Sequence, residues 1–166
     1  IIKTANSDER LMDEIALFLH KVRKKQKDEY YMTSKMNIDY SINLKGKKIL
    51  IVDDDPRNIF VLASALENYG LEIIDAENGS IALEELERNN IDLVLMDIMM
   101  PVMDGFEAIR AIRENEKTRH LPVIALTAKS LKEDREKCIS VGANDYISKP
   151  VDYDSLIRLV KAWIDK

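Results

Sequence analysis

The sequence predicts an α/β fold built on one parallel sheet with helices on both faces. Two observations carry this. From Lys48 onward, short apolar runs rich in β-branched residues alternate with longer stretches of helical period. The runs are also continuously apolar rather than alternating with polar residues, as strands buried on both faces should be.

The elements follow in order. Lys48–Val52 reads as strand one. Pro56 to Tyr69 reads as a helix with Ile59, Leu62, Ala63, Leu66 and Tyr69 on one face; Pro56 suits its first turn and Gly70 its stop. Leu71–Ala76 is strand two, and Ser80–Arg88 is helix two with Ile81, Ala82, Leu83 and Leu86 apolar. Asp92–Asp97 is strand three. Phe106–Glu114 is helix three, with Phe106, Ile109 and Ile112 facing inward and Arg110 and Arg113 outward. Val123–Thr127 is strand four, Leu131–Val141 helix four, and Asn144–Ser148 strand five. Asp152–Asp165 is the last helix, with Leu156, Leu159, Val160 and Trp163 in register. Five βα units with short, right-handed connections imply a flavodoxin-like three-layer sandwich of strand order 2-1-3-4-5. The switch point of that order lies between strands one and three, where Asp53, Asp54 and Asp97 fall.

Residues 1–45 differ in character and read as an N-terminal helical extension and linker; residues 46–166 read as the α/β domain. Ser7–Lys25 is amphipathic, with Leu11, Ile15, Phe18 and Val22 on one stripe and Asp8 and Glu9 in the first turn. Tyr30–Asn43 has no firm period and reads as a linker. Ile1-Ile2-Lys3 followed by a helix faintly echoes Ile147-Ser148-Lys149 followed by the last helix. Residues 1–27 are therefore either the end of a preceding, similar domain or an unrelated linker helix. The start at Ile1, without a methionine, fits a piece of a longer protein.

The chain has 166 residues, 33% of them charged and 46% hydrophobic, with a formal net charge of -5. That balance is ordinary for a globular protein and argues against a general nucleic-acid surface. The charge is uneven, +2 over residues 1–45 and -7 beyond. A single cysteine, Cys138, excludes an internal disulfide and a cysteine-based zinc site. No apolar stretch is long enough to span a membrane and no signal-peptide pattern opens the chain, so the reading is cytoplasmic, without membrane contact.

The strand ends carry the chemistry. Ile49-Leu50-Ile51-Val52 ends in Asp53-Asp54-Asp55, Leu93-Val94-Leu95-Met96 in Asp97, Val123-Ile124-Ala125-Leu126 in Thr127, and Tyr146-Ile147-Ser148 in Lys149-Pro150. In a parallel sheet these ends share one edge, so three kinds of polar group converge on one cleft. Crowded carboxylates repel and call for a cation. Oxygen donors without histidine or cysteine favour Mg2+ over zinc. One carboxylate can then attack phosphorus and become an aspartyl phosphate, with Lys149 adding positive charge and Thr127 a hydrogen bond. Taken singly, Asp53-Asp54-Asp55 is also a plausible solvated turn, Thr127 a routine strand end, Lys149 a surface lysine and Tyr146 a half-buried strand tyrosine.

Ile-Leu-Ile-Val-Asp-Asp-Asp, Leu-Met-Asp-Ile-Met-Met-Pro-Val-Met-Asp-Gly, Ala-Leu-Thr-Ala and Lys-Pro, in this order and spacing, resemble the receiver domain of two-component response regulators. The resemblance implies that Asp97 is the phosphoacceptor. It implies that Asp54, Asp97 and the Met99 backbone carbonyl hold Mg2+, with Asp53 acting through a water. Thr127 and Tyr146 would be the switch pair, Lys149 would pair with the phosphoryl group, and Lys149–Pro150 would be a cis peptide. Pro101 stiffens the loop Met99–Gly105, Gly105 permits close helix packing and Asp104 can cap helix three. The wording around Asp97, with Asn58 after Pro56-Arg57, is similar to receivers appended to hybrid histidine kinases. Such a domain accepts and loses its phosphoryl group in part by its own activity, while the parent chain would be a histidine kinase. Its partner would be a histidine kinase or a histidine phosphotransfer domain. A second copy could bind through the face of helix four, strand five and helix five.

Two other functions compete. A magnesium phosphohydrolase of the haloacid dehalogenase type would use Asp53 as nucleophile, but Arg57 stands where its motif wants Thr or Val and no cap insertion is present. A docking pseudo-receiver would lack acceptor or metal positions, and all are filled. A nucleotide site fails because no glycine-rich loop follows strand one. His20 and His120 sit in no phosphohistidine motif and read as surface histidines.

Overall fold

The computed structural model describes residues 44–128 and 132–166. Its elements are β1 (Lys48–Val52), α1 (Pro56–Glu67), β2 (Glu72–Ala76), α2 (Gly79–Arg88), β3 (Leu93–Asp97), α3 (Gly105–Glu114), β4 (Val123–Thr127), α4 (Lys132–Ser140), β5 (Asp145–Ser148) and α5 (Tyr153–Ile164). The five strands pair in parallel in the order β2-β1-β3-β4-β5, as the sequence predicts. The expected helix over Ser7–Lys25, the linker Tyr30–Asn43 and the first residue expected for helix four, Leu131, lie outside the described residues.

Every residue of β3 and β4 is buried, and all but the first of β1. The strand period of two sends successive side chains to opposite faces. Leu50, Val52, Val94, Met96, Val123 and Ala125 pack with Ala82, Ala108, Ile109, Ile112 and Cys138 of α2, α3 and α4. Ile49, Ile51, Leu93, Leu95, Ile124 and Leu126 pack with Leu62, Leu66, Leu156, Ile157 and Val160 of α1 and α5. Two cores, one on each face, thus explain why the central runs contain no polar residue.

The helix ends differ from the periodic reading by one or two residues, because caps decide them. α1 stops at Glu67, and Asn68, Tyr69 and Gly70 form a turn with Gly70 at φ +82°. Tyr69 still packs on the α1–α5 core. α2 begins one residue early at Gly79, where the Asn78 side chain accepts the Ile81 N–H at 3.0 Å. α3 begins at Gly105 behind a full capping box: Asp104 accepts the Glu107 N–H at 2.9 Å and Glu107 accepts the Asp104 N–H at 3.1 Å. A Cβ on Gly105 would meet the Asp97 carbonyl oxygen and the Ile98 Cα, so only glycine lets α3 start this close to the end of β3. Within the same loop Val102 takes φ 69°, a left-handed conformation costly for a β-branched residue.

One expectation is overturned. Arg110 is exposed, but Arg113 does not face outward. Its Nε donates to the Gly142 carbonyl at 2.8 Å, its Nη1 to the Leu121 carbonyl at 2.8 Å and its Nη2 to the Asn144 side chain at 2.6 Å. Asn144 Oδ1 also accepts the Val123 N–H at 2.8 Å. The long stem passes the end of α3, packs over Gly142 and satisfies carbonyls that the β4 entry and the α4–β5 turn leave without ladder partners. Nη1 also donates to the Arg119 carbonyl at 3.2 Å, and burial of the site lowers the Arg113 pKa from its ordinary value. Arg113→Met is expected to destabilise the domain by about 2–3 kcal/mol, because it leaves several carbonyls unsatisfied. Arg110→Met should stay within about 0.5 kcal/mol of the parent. Urea unfolding of both variants checks the pair.

Candidate functional site

The register of the sheet assembles the site. Val52 pairs with Met96, so the residues that follow, Asp53 and Asp97, emerge side by side at the carboxyl edge. Thr127 pairs with Ser148, which brings Lys149 into the same row. Ligand oxygens of Asp53, Asp54 and Asp97 lie within 4.8 Å of one another. Lys149 Nζ reaches Asp53 Oδ2 at 2.9 Å and Asp97 Oδ2 at 3.2 Å. Four residues from three strand ends, up to 96 positions apart, therefore meet in one pocket.

The three aspartates after β1 take different roles. Asp53 is fully buried, and its Oδ1 accepts the Asp55 N–H at 2.9 Å. Asp54 is exposed at the pocket mouth. Asp55 leaves the cluster: it caps α1, accepts the Arg57 N–H at 2.9 Å and pairs with the Arg57 guanidinium at 2.6 Å. The Arg57 hydrogen bond holds the Asp55 carboxyl down to about 2. The acidic triplet read along the chain is thus a pair plus a cap, and Asp97 supplies the third carboxylate.

Charge at the site is finely opposed. Burial raises the Asp97 carboxyl above its usual range, the Lys149 charge pulls it back, and the neighbouring Asp53 adds to the rise. For Lys149 burial alone would lower the ammonium. The hydrogen bond to Asp53 and the charges of Asp97 and Asp53 outweigh it and hold the pKa above the ordinary lysine value. The donor set is carboxylate only, without His or Cys, which fits a hard oxygen-loving dication such as Mg2+.

Thr127 is buried at the end of β4, and Met99 is 67% exposed beside Asp97, with its N–H 3.4 Å from Asp97 Oδ1. The Lys149–Pro150 peptide is cis. Tyr146 is half-buried on β5, packed against the α2–α4 core. The Arg135 guanidinium of α4 lies 5.2 Å from its ring centroid, and Lys137 sits 4.3 Å above the Phe106 ring. The sequence reading missed these two cation–π contacts, since no period pairs α4 with β5 or α3. It also gave Asn58 no role at the site, although the Asn58 amide lies against Asp53 at 3.1 Å. His120 is exposed and lines a groove of about 960 Å³ between the C-terminal ends of α2 and α3, far in sequence from the aspartates and containing none of them. His20 lies outside the described residues. No helix among the described residues is long and apolar enough to cross a membrane.

A raised folded-state pKa at Asp97 means the native protein keeps a proton where the unfolded chain has released it. Its contribution to stability is therefore present below the ordinary aspartate pKa and falls as pH rises through the raised one. At neutral pH, without metal, the ionised Asp97 costs stability. Asp97→Asn is expected to stabilise the metal-free domain at pH 7, with the gain vanishing towards pH 3. Mg2+ should raise the melting temperature of the parent and leave that of the variant nearly unchanged. Thermal unfolding in EDTA and in Mg2+, at both pH values, reads each part.

The profile of the response regulator receiver domain matches residues 49–161. An uncharacterized 14.6 kDa protein of Leptolyngbya boryana is 47% identical over 115 residues, 69% of this chain and 88% of that protein. The sensor histidine kinase GacS of Pseudomonas protegens is 34% identical over 126 residues, 74% of this chain but only 14% of that protein. The receiver domain of a sensor histidine kinase of Pseudomonas aeruginosa, solved with a magnesium ion coordinated in its active-site cleft, is 40% identical with a TM-score of 0.68, covering 73% of this chain and 99% of that one. Receiver domains bind Mg2+ at an acidic pocket, and the three-aspartate cluster at the edge of this sheet is one. Such domains work with histidine kinase or phosphotransfer partners in two-component signalling. By profile, by fold and by the residues that crowd this cleft, the chain belongs to the family of response regulator receiver domains.

Proposed function

We propose that residues 46–166 take a phosphoryl group from a phosphohistidine onto Asp97 and use it to switch a protein surface. One observation supports this above others: the Lys149 ammonium sits between the buried carboxylates of Asp53 and Asp97, 2.9 and 3.2 Å away, with Asp54 at the open side. Asp54, Asp97 and the Met99 carbonyl would hold Mg2+, with Asp53 reaching it through a water. When bound, the ion neutralises charge on the transferring group.

The rest falls to the chain itself. An Asp97 oxygen attacks phosphorus in line; the P–N bond to the histidine breaks as the P–O bond forms, and the imidazole leaves with the electron pair. Asp97 must be ionised to attack, and Lys149 favours that form against burial. Lys149 then exchanges the Asp97 oxygen for a phosphoryl oxygen. The Thr127 hydroxyl donates to another, and Tyr146 follows by leaving its place beside Arg135. The face of α4, β5 and α5 is remodelled by this population shift. That face would bind a partner or a second copy of the domain.

The wider reading is that of a cytoplasmic receiver attached to a hybrid sensor kinase, passing its phosphoryl group to a histidine phosphotransfer domain. The match to long sensor kinases over a small share of their length supports it. The phosphohydrolase alternative finds no support, because Asp53, its required nucleophile, is fully buried with both oxygens hydrogen-bonded.

Incubation with Mg2+ and acetyl phosphate, followed by peptide mapping, should add one phosphoryl mass to the peptide carrying Asp97 and none in Asp97→Asn. Mass on the Asp53 peptide instead would overturn the assignment. The exposed, apolar Met99 beside Asp97 should slow attack by water on the acyl phosphate. Met99→Asn is therefore expected to shorten the phosphoryl lifetime several-fold, read by decay of the labelled protein. Beryllofluoride should shift the amide resonances of α4 and Tyr146; an unchanged spectrum would count against the switch.

A further inference from the structure

Asn58 plays no part in the mechanism above, yet it touches the most deeply buried charge of the site. The first turn of α1 puts it there. Asp55 caps the helix, Pro56 opens it, and the Asn58 N–H donates to the Asp55 carbonyl at 3.0 Å. From that position the side chain folds back over the end of β1. Its Nδ2 donates to Asp53 Oδ1 at 3.2 Å and Oδ2 at 3.1 Å. Asp53 Oδ1 also accepts the Asp55 N–H, and Oδ2 the Lys149 ammonium, each at 2.9 Å. A carboxylate offers about four acceptor positions; the Asn58 amide straddles both oxygens, and the contacts still leave Asp53 able to accept from a water.

We propose that Asn58 is a positioning residue for the metal and phosphoryl chemistry of the cleft, acting through Asp53. Its amide fixes the plane of the Asp53 carboxylate and carries part of its charge, so that Lys149 stays shared between Asp53 and Asp97. This rests on the reading of Asp54 and Asp97 as Mg2+ ligands. Without the amide, a fully buried carboxylate has one backbone N–H and the ammonium to compensate it. Lys149 then turns towards Asp53 and away from the oxygen it must serve during transfer, and the freed carboxylate loses its orientation towards the cation. A neutral donor suits the task. Lysine or arginine at this position would compensate Asp53 more strongly but repel the cation, and aspartate would add a fourth negative charge.

The test is a double-mutant cycle read on metal binding. Mg2+ is titrated into the parent, Asn58→Leu, Asp53→Asn and the double variant, and the amide resonances of Asp54 and Met99 are followed. Urea unfolding of all four is measured in EDTA. Asn58→Leu keeps the branched heavy-atom outline but has no donor. It is expected to raise the Mg2+ dissociation constant about tenfold, as loss of a partner that orients a ligand does, and to slow acetyl phosphate labelling of Asp97. In the Asp53→Asn background the same change should alter the dissociation constant less than about twofold. Asn58→Ala removes the amide without filling its space and should move the constant in the same direction if the leucine variant folds poorly. Unchanged Mg2+ affinity in Asn58→Leu, or an equal loss in both backgrounds, would overturn the inference. A parent protein whose Asp54 and Met99 resonances ignore Mg2+ would instead sink the metal-site reading itself.

Discussion

Lys149 is the charge on which the site depends. It faces two carboxylates that the sheet has taken out of water, Asp53 fully and Asp97 at 5% exposure. Two like charges so placed repel strongly, because the low local dielectric that strengthens an ion pair also strengthens repulsion. A single ammonium 2.9 and 3.2 Å away cannot cancel both. The remaining negative charge makes the pocket a cation site, and it also leaves Asp97 under tension between burial, which resists ionisation, and Lys149, which favours it. Structure and proposed chemistry thus share one cause. Truncating Lys149 would leave buried charges uncompensated, a loss of about 3–5 kcal/mol where such pairs have been broken.

That arrangement needs a rigid frame, and the frame comes from apolar packing. Ile51 and Val52 of β1, and Leu95 and Met96 of β3, are wholly buried and point to opposite cores, so neither strand can slip without exposing both faces. The carboxylates follow directly on these residues and inherit their precision. Gly105 closes the other side by letting α3 approach the Asp97 carbonyl. The left-handed Val102 shows that the loop between them is held by its surroundings rather than by its own preference.

Much of this could be read along the chain, and the exceptions have a common origin. The strands were legible because burial on both faces demands unbroken apolar runs. The strand order followed from handedness and length, and the meeting of Asp53, Asp54, Asp97 and Lys149 from the order. Local chemistry was only partly legible. Asp55 looked like a third member of an acidic cluster but is a helix cap that accepts the Arg57 N–H, with the Arg57 guanidinium folded back onto the same carboxylate. Arg113 looked like a solvated helix charge, since its partners Leu121, Gly142 and Asn144 lie up to 31 positions away. Asn58 and Arg135 escaped although their partners, Asp53 and Tyr146, are closer in sequence, because each contact depends on a side chain folding back across the end of a strand or between two elements. Hydrophobic period reports which face of an element is covered; it says nothing of which single polar atom finds which other.

Arg135 also bears on how the proposed switch can be cheap to operate. Helices α1 and α5 each bury three apolar side chains and α3 two isoleucines with Ala108, whereas α2 buries only Gly79 and Ala82 and α4 only Cys138. Beyond that residue, α4 touches Tyr146 and Phe106 through Arg135 and Lys137, cation–π contacts worth about 0.5–1 kcal/mol each at exposed sites. Moving α1 or α5 would open the core at a cost of several kcal/mol per exposed leucine or isoleucine pair. Displacing α4 gives up far less. A shift from about 1:99 to 99:1 between two arrangements requires about 5.5 kcal/mol of differential interaction. A phosphoryl group that gains charged partners in Lys149 and a hydrogen bond from Thr127 can supply that order of energy only against an element held as lightly as α4. The light packing of α4 and the placing of Tyr146 beneath Arg135 therefore fit the proposed switch together: the sheet fixes the charges, and a lightly anchored helix beside Tyr146 is free to respond to them.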